Sequence, residues 1–134
     1  MADHAKLARN VDRPLAALIQ DLKRRGMLDS TLIVWTTEFG RTPFVTAKDL
    51  KGREHHNHAF STWMAGGGVK GGIAYGQSDD IGAYIADRGV HVHDLHATML
   101  HLLGLNLERL TYRFSGRDYR LTDVAGRVVN GIIA

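Results

Sequence analysis

The feature that most constrains the fold is a change of hydrophobic period within residues 7–36. The first part carries one apolar stripe at helical spacing, formed by Leu7, Val11, Leu15, Leu18, Ile19 and Leu22. Cationic residues 23–25 followed by Gly26 are typical of a helix C-terminus. Residues 31–36 then form a β-branched, apolar strand. A helix, a short turn and a buried strand make up half of a βαβ unit, so this stretch predicts a mostly parallel sheet flanked by helices.

Pro14 lies inside the helical pattern. A proline has no N–H group, and this costs least in the first turn of a helix. We therefore expect Asn10 or Asp12 to cap the helix, with Pro14 in its first turn.

The rest of the chain alternates apolar segments with polar or glycine-rich ones. We expect a strand at 60–65, a glycine turn at 66–72, short strands at 73–75 and 90–93, and a helix that Asp94 caps and Leu95 begins. The glycine run could also cradle a phosphate, although it lacks the Lys-Ser/Thr pair of a P-loop. With 134 residues and no linker or repeat, the chain reads as a single domain, 1–134.

Composition excludes several classes of protein. The apolar fraction is 44% and the charged fraction 23%, which is globular. No apolar run is long enough to span a membrane, no export signal is visible, and the chain has no cysteine for disulfides or thiolate metal sites. A net charge of +3 is weak support for a nucleic-acid partner. The arginines at 113–120 are interrupted by Asp118 and followed by Asp123, so we expect neither nucleic acid nor membrane as a partner.

Glu38 and Arg41 follow the first predicted strand directly. Ligands of open α/β sheets bind at the carboxyl ends of the strands. A divalent cation would take a carboxylate such as Glu38, and the guanidinium of Arg41 could bind a phosphate or sulfate through two parallel hydrogen bonds. The alternative is a surface ion pair around a turn.

A second polar segment, GREHHNHAF at 52–60, closes a long loop over 40–58 and precedes the next predicted strand. His55 and His56 are candidate metal ligands, and in an extended loop they point in different directions, so one of them would face a given metal. Arg53 is a further candidate for anion binding. The alternative is a solvated loop. The histidines at 91–96 and His101 carry a weaker signal, because Asp94 already has a role as a helix cap.

Together these segments resemble an uncharacterised sulfatase-like family of the alkaline phosphatase superfamily. Its hallmark motifs Glu-Phe-Gly-Arg-Thr-Pro and Ala-Gly-Gly-Gly-x-Lys-Gly-Gly occur at 38–43 and 65–72. Its Gly-Arg-Asp-His motif occurs at 52–55 with Glu54 in place of Asp. The segment HDLHATMLHLLG at 93–104 resembles a sulfatase helix, and GRDYRLTDVAGRVV at 116–129 resembles the family's C-terminal signature.

The resemblance implies an alkaline phosphatase-like α/β/α sandwich with a bimetallic site at the carboxyl edge of its sheet. Glu38 and His55 would be metal ligands, with His56 as a further candidate, and the divalent metal would be zinc, calcium or magnesium. Arg41 and Arg53 would bind the anion of a small-molecule or polysaccharide ester.

The resemblance covers the C-terminal part of such proteins, which are usually exported. The early acidic ligands and the nucleophile have no counterpart here, so no residue of this chain is assigned a catalytic role. We expect a C-terminal fragment of a hydrolase of sulfate or phosphate esters that is inactive alone. The alternative is a non-catalytic binding or assembly module that keeps the scaffold. Unpaired sheet edges would favour a homo-oligomer.

Overall fold

The computed structural model describes residues 2–45 and 52–134. These residues form two α-helices, two 3-10 turns and eight short strands. The helices are α1 (Ala2–Arg24) and α2 (Val92–Leu102), and the turns are Leu28–Ser30 and Asn130–Ile132. The strands are β1 (Ile33–Trp35), β2 (Gly40–Arg41), β3 (His55–His56), β4 (Trp63–Ala65), β5 (Gln77–Ser78), β6 (Ile85–Asp87), β7 (Thr111–Phe114) and β8 (Arg117–Arg120). No helix among the described residues combines the length and the apolarity needed to cross a bilayer.

The strands pair as four separate antiparallel ribbons: β1 with β4, β2 with β3, β5 with β6 and β7 with β8. The expected α/β/α sandwich with a mostly parallel sheet is therefore wrong. Parallel neighbours need a long crossover, usually a helix, on one face of the sheet. The described residues between β1 and β4 instead form the β2–β3 ribbon, and β4 returns beside β1 in the opposite direction. The predicted loop over 40–58 contains this ribbon, and its residues 46–51 lie outside the described part.

Helix α1 continues through Pro14 and begins at Ala2, so the predicted start at Asn10 or Asp12 is wrong. The proline leaves the carbonyl of Asn10 without its helical donor, but both residues are exposed and water can solvate that carbonyl. The predicted C-terminus is confirmed. The helix ends at Arg24, and Gly26 takes the left-handed conformation, with φ +67°, that glycine adopts without strain.

Helix α2 begins three residues earlier than predicted, and the expected strand at 90–93 is absent. His91 is the N-cap, and its Nδ1 accepts the backbone N–H of His93 at 3.2 Å. Asp94 is the third helical residue, where its carboxylate accepts the N–H of His91 at 3.1 Å. This reciprocal pair is a capping box in which a histidine takes the usual place of serine or threonine. Residues 73–75 likewise form no strand.

Polar contacts tie α2 to the C-terminal segment. Thr98 is fully buried; its hydroxyl donates to the carbonyl of Asp94 at 2.6 Å and accepts the N–H of Val129 at 2.9 Å. The carboxylate of Asp94 also accepts the N–H of Arg127 at 2.7 Å. Among the described residues the buried apolar set is small and consists of Ala83, Ala97 and Leu100. Specific hydrogen bonds therefore fix this segment more than a large core does.

The glycine run packs backbone against backbone. Gly66 and Gly67 have φ of +69° and +52°. A Cβ on Gly66 would run into the carbonyls of Leu28 and Thr31, and one on Gly67 would lie 2.8 Å from the Cβ of Leu32. The next residues hold the C-terminus, because the carbonyl of Gly68 accepts the N–H of Ala134 at 2.9 Å. Close packing explains these glycines without a phosphate.

We predict that Gly66→Ala destabilises the protein by about 2 kcal/mol or more, since it adds a left-handed alanine and a backbone clash. The matched control is Gly71→Ala in the same run, where an added Cβ meets nothing within 4 Å and φ is not in the left-handed region. It should change stability by less than about 0.5 kcal/mol. Urea unfolding midpoints measure both, and equal midpoints would contradict the packing role.

Candidate functional site

The β2–β3 ribbon brings the two polar motifs of the sequence together. Arg41 pairs with His55, and Gly40 pairs with His56. Successive side chains of a strand point to opposite faces, and directly paired residues share a face. Arg41 and His55 therefore share the exposed face, whereas His56 lies on the buried one.

Gly40 and Thr42 hold this ribbon in shape. A Cβ on Gly40 would run into the carbonyl of Ala59, so glycine is needed where the chain crosses itself. The buried hydroxyl of Thr42 donates to the carbonyl of Phe44 at 2.6 Å and accepts the N–H of Glu54 at 3.1 Å. The N–H of Thr42 donates to the carbonyl of Glu54 at 3.0 Å. Two residues of the Glu-Phe-Gly-Arg-Thr-Pro motif thus have structural roles and leave Glu38 and Arg41 in solvent.

The carboxylate of Glu38 lies beside this exposed face. Hydrogen bonds from its own backbone N–H and from the hydroxyl of Thr37, at 3.2 Å, lower the pKa of Glu38, and the charges of His55 and Arg41 lower it further. Partial desolvation opposes these effects. The side chain is therefore an anion at neutral pH, placed within electrostatic reach of an imidazole and a guanidinium.

The ring of Phe39 stacks on the imidazole of His55, with centroids 5.5 Å apart and planes at 27°. Phe39 therefore helps to orient His55. We call Glu38, Arg41 and His55 the Glu38 cluster. Arg53, the other predicted anion-binding residue, is exposed two positions before His55 and belongs to the chain that enters β3.

His56 does not join the Glu38 cluster. It is 7% exposed, and its Nε2–H donates to the carbonyl of Ala83 at 2.6 Å. The rings of His58 and Tyr84 pack around it, with centroids 5.4 Å and 6.5 Å away. These contacts give His56 a structural role, with the nitrogen that faces Ala83 engaged in a hydrogen bond.

The loop that contains Ala83, the hydrogen-bond partner of His56, is held in place by Asp79. Asp79 accepts the N–H of Ala83 at 2.7 Å and that of Tyr84 at 3.1 Å, and these bonds fix the loop before β6. The sequence analysis assigned no role to Asp79 or Tyr84, because residues 76–89 are mostly polar and carry no hydrophobic period. The available clue was the sequence Asp79-Asp80-Ile81-Gly82, because an aspartate shortly before a glycine is typical of a turn in which the carboxylate accepts backbone N–H groups.

The Glu38 cluster offers one carboxylate and one imidazole to a metal ion. A catalytic zinc site has three protein ligands and a structural site has four. Within residues 2–45 and 52–134, no three His, Cys, Asp or Glu side chains are grouped so that they could hold a metal ion. The donor pair fits part of a metal site by its chemistry, and further ligands would have to come from outside these residues.

We predict that the carboxyl group of Glu38 titrates below the ordinary range for glutamate, and that Thr37→Val moves its pKa upward by removing the hydroxyl donor. Because the folded-state pKa is the lower one, any stability contributed by Glu38 is present above the unfolded-state pKa and is lost as the pH falls through the folded-state value. Carbon-detected NMR of the side-chain carboxyl measures the midpoint.

The control is Thr36→Val. The hydroxyl of Thr36 bonds to the hydroxyl of Thr62 at 2.9 Å and to the carbonyl of Thr37 at 3.2 Å, and not to Glu38. It should leave the midpoint of Glu38 in place. An unchanged midpoint in Thr37→Val would show that the hydroxyl does not stabilise the carboxylate.

Comparison with known proteins gives a family for the chain. No curated protein and no solved structure matches it significantly. A family profile described as "Protein of unknown function (DUF1501)" matches residues 1–133. The chain therefore belongs to the DUF1501 family of proteins of unknown function.

Proposed function

We propose that this chain forms one wall of the active site of a metal-dependent hydrolase of sulfate or phosphate esters, as the C-terminal part of that enzyme. Glu38 and His55 would bind a divalent cation, and Arg41 would bind the anionic group of the ester. The observation that carries the proposal is the pairing of Arg41 with His55 on the exposed face of the β2–β3 ribbon, with Glu38 within electrostatic range of both.

The three side chains suit these roles chemically. A lowered pKa keeps Glu38 ionised, which is the form that binds a cation. The planar guanidinium of Arg41 matches two oxygens of a sulfate or phosphate group. An imidazole in the donor pair favours zinc over calcium or magnesium, which prefer oxygen ligands alone.

The substrate that we propose is a small-molecule or polysaccharide ester, and an exposed site is compatible with it. The side chains of the Glu38 cluster lie at the surface and not in a closed pocket. Such a surface is open to an ester on a small molecule or on a polysaccharide chain. Metal-assisted hydrolysis also needs a complete ligand set and an attacking group. Two ligands and one anion-binding arginine do not meet that requirement, so the chain alone is expected to show little or no turnover.

A second candidate is a non-catalytic module that binds or assembles with a partner. It is favoured by the incomplete ligand set of the Glu38 cluster. The two candidates differ in whether Glu38 and His55 bind metal at all.

We predict that zinc titrated into the purified chain shifts the NMR signals of Glu38 and His55. Glu38→Gln and His55→Gln should each weaken zinc binding by about tenfold or more, since the loss of an outer-shell partner alone costs about that much. His101→Gln, which removes an exposed imidazole at the end of α2, is the matched control and should bind zinc as the wild type does.

If neither Glu38→Gln nor His55→Gln changes the affinity for zinc, the proposal that the chain forms part of a hydrolase active site is excluded. The non-catalytic binding module then remains. p-Nitrophenyl sulfate and p-nitrophenyl phosphate test turnover directly. Their hydrolysis by the wild-type chain, abolished in Glu38→Gln, would show instead that the site is complete.

A further inference from the structure

Helix α1 presents a seam of apolar side chains to solvent. Its residues are separated alternately by three and four positions: Ala8, Val11, Leu15, Leu18 and Leu22. We call these five residues the α1 seam. This alternation is the a/d pattern with which two helices pack knobs into holes. Within the seam Leu18 is 47% exposed and Val11 39%, whereas Leu15 and Leu22 are half-buried. Leu7 beside the seam is 61% exposed.

The described part of the chain leaves this seam largely uncovered. The element that α1 contacts most is the short turn Leu28–Ser30 at its own C-terminal end. The chain as a whole exposes 10492 Å². A compact monomer of 14.8 kDa exposes roughly 7,000 Å². This surplus is spread over the whole chain, and a stable dimer would cover about 800 Å² of it on each copy.

The charges of α1 indicate what covers the seam. At 100° per residue, the cations Lys6, Arg9, Arg13 and Arg24 fall on the side of the helix opposite the seam. The flanks of the seam over residues 5–21 carry no lysine or arginine; they hold Ala5, Leu7, Asp12, Pro14, Ile19 and Asp21. An anionic membrane or an acidic groove laid on the seam would therefore meet few cations. A second apolar seam fits, and the charges that flank it over residues 5–21 are limited to Asp12 and Asp21.

We propose that α1 is a dimerisation helix, and that two copies of this chain pair seam to seam in antiparallel orientation. A parallel pair would set the two basic clusters at residues 23–25 side by side and align the two helix dipoles. An antiparallel pair separates those clusters by nearly the helix length, about 30 Å, and opposes the dipoles. Leu15 is the midpoint of the seam, so it faces Leu15 of the second copy.

The test is the mass of the full chain in solution, measured by light scattering after gel filtration over a hundredfold concentration range. The wild type should have twice the 14.8 kDa of one chain. Leu18→Glu should halve that mass. Ala17→Glu, which adds the same charge at the exposed neighbouring position away from the seam, should leave it unchanged.

Cysteine cross-linking gives an independent readout, because the chain has no cysteine of its own. Leu15→Cys should oxidise to a disulfide-linked dimer, and Ala17→Cys should not. The proposal is overturned if the wild type is monomeric at every concentration, whether or not it binds anionic vesicles. It is also overturned if a dimer persists in a helical Leu18→Glu variant and Leu15→Cys fails to cross-link. Neither readout involves zinc, so the result is independent of the proposed hydrolase role.

Discussion

Backbone contact at Gly66 and Gly67 holds the first half of the chain together. These two residues lie against the turn after α1 and the start of β1, at distances that a side chain would prevent. The same segment continues from β4, so the contact sets how β4 lies beside β1. Through the hydrogen bond from Ala134 to Gly68 it also fixes the C-terminus. One tight turn thus joins elements that are far apart in the sequence, in a structure whose described residues include few buried apolar side chains.

The candidate site also depends on a close backbone contact that only glycine permits. Gly40 permits a close crossing with Ala59, and Thr42 joins the chain before β3 through two hydrogen bonds to Glu54. These contacts fix the β2–β3 ribbon, and the ribbon places neighbouring side chains on opposite faces. Arg41 and His55 remain in water with Glu38, whereas His56 is buried under Tyr84. The motif therefore contains two residues with structural roles, Gly40 and Thr42, and two charged residues that stay exposed, Glu38 and Arg41.

Sequence alone predicts the local elements that follow from periodicity and turn chemistry. The C-terminal end of α1, the strands around 33–35 and 63–65 and the glycine turn all follow from such patterns. The start of α1 was missed because an exposed proline costs less than its general penalty suggests. The direction in which β1 and β4 pair was missed as well, since it depends on how the chain returns between them and not on either strand.

The assignment of Glu38, Arg41 and His55 to a functional site stays a prediction, whereas the structure does show where these residues lie. Glu38, Arg41 and His55 do come together, but on a two-stranded ribbon and not at the edge of a parallel sheet. The burial of His56 could not be read from its neighbours, because it depends on a carbonyl 27 residues away. Contacts of that range are set by tertiary structure, which a local pattern does not encode.

The adjacent pair His55 and His56 has a consequence for how this ribbon tolerates change. A strand that slips by one residue exchanges its two faces completely. In most sequences such a slip would bury the reactive group and expose an unrelated one. Here a slip in one direction would pair Arg41 with His56 and place Asn57 on the buried face, and a slip in the other would pair Arg41 with Glu54 and place His55 there. The adjacent histidines therefore keep one imidazole in the ribbon after a slip in either direction, on the solvent face in the first case and on the buried face in the second.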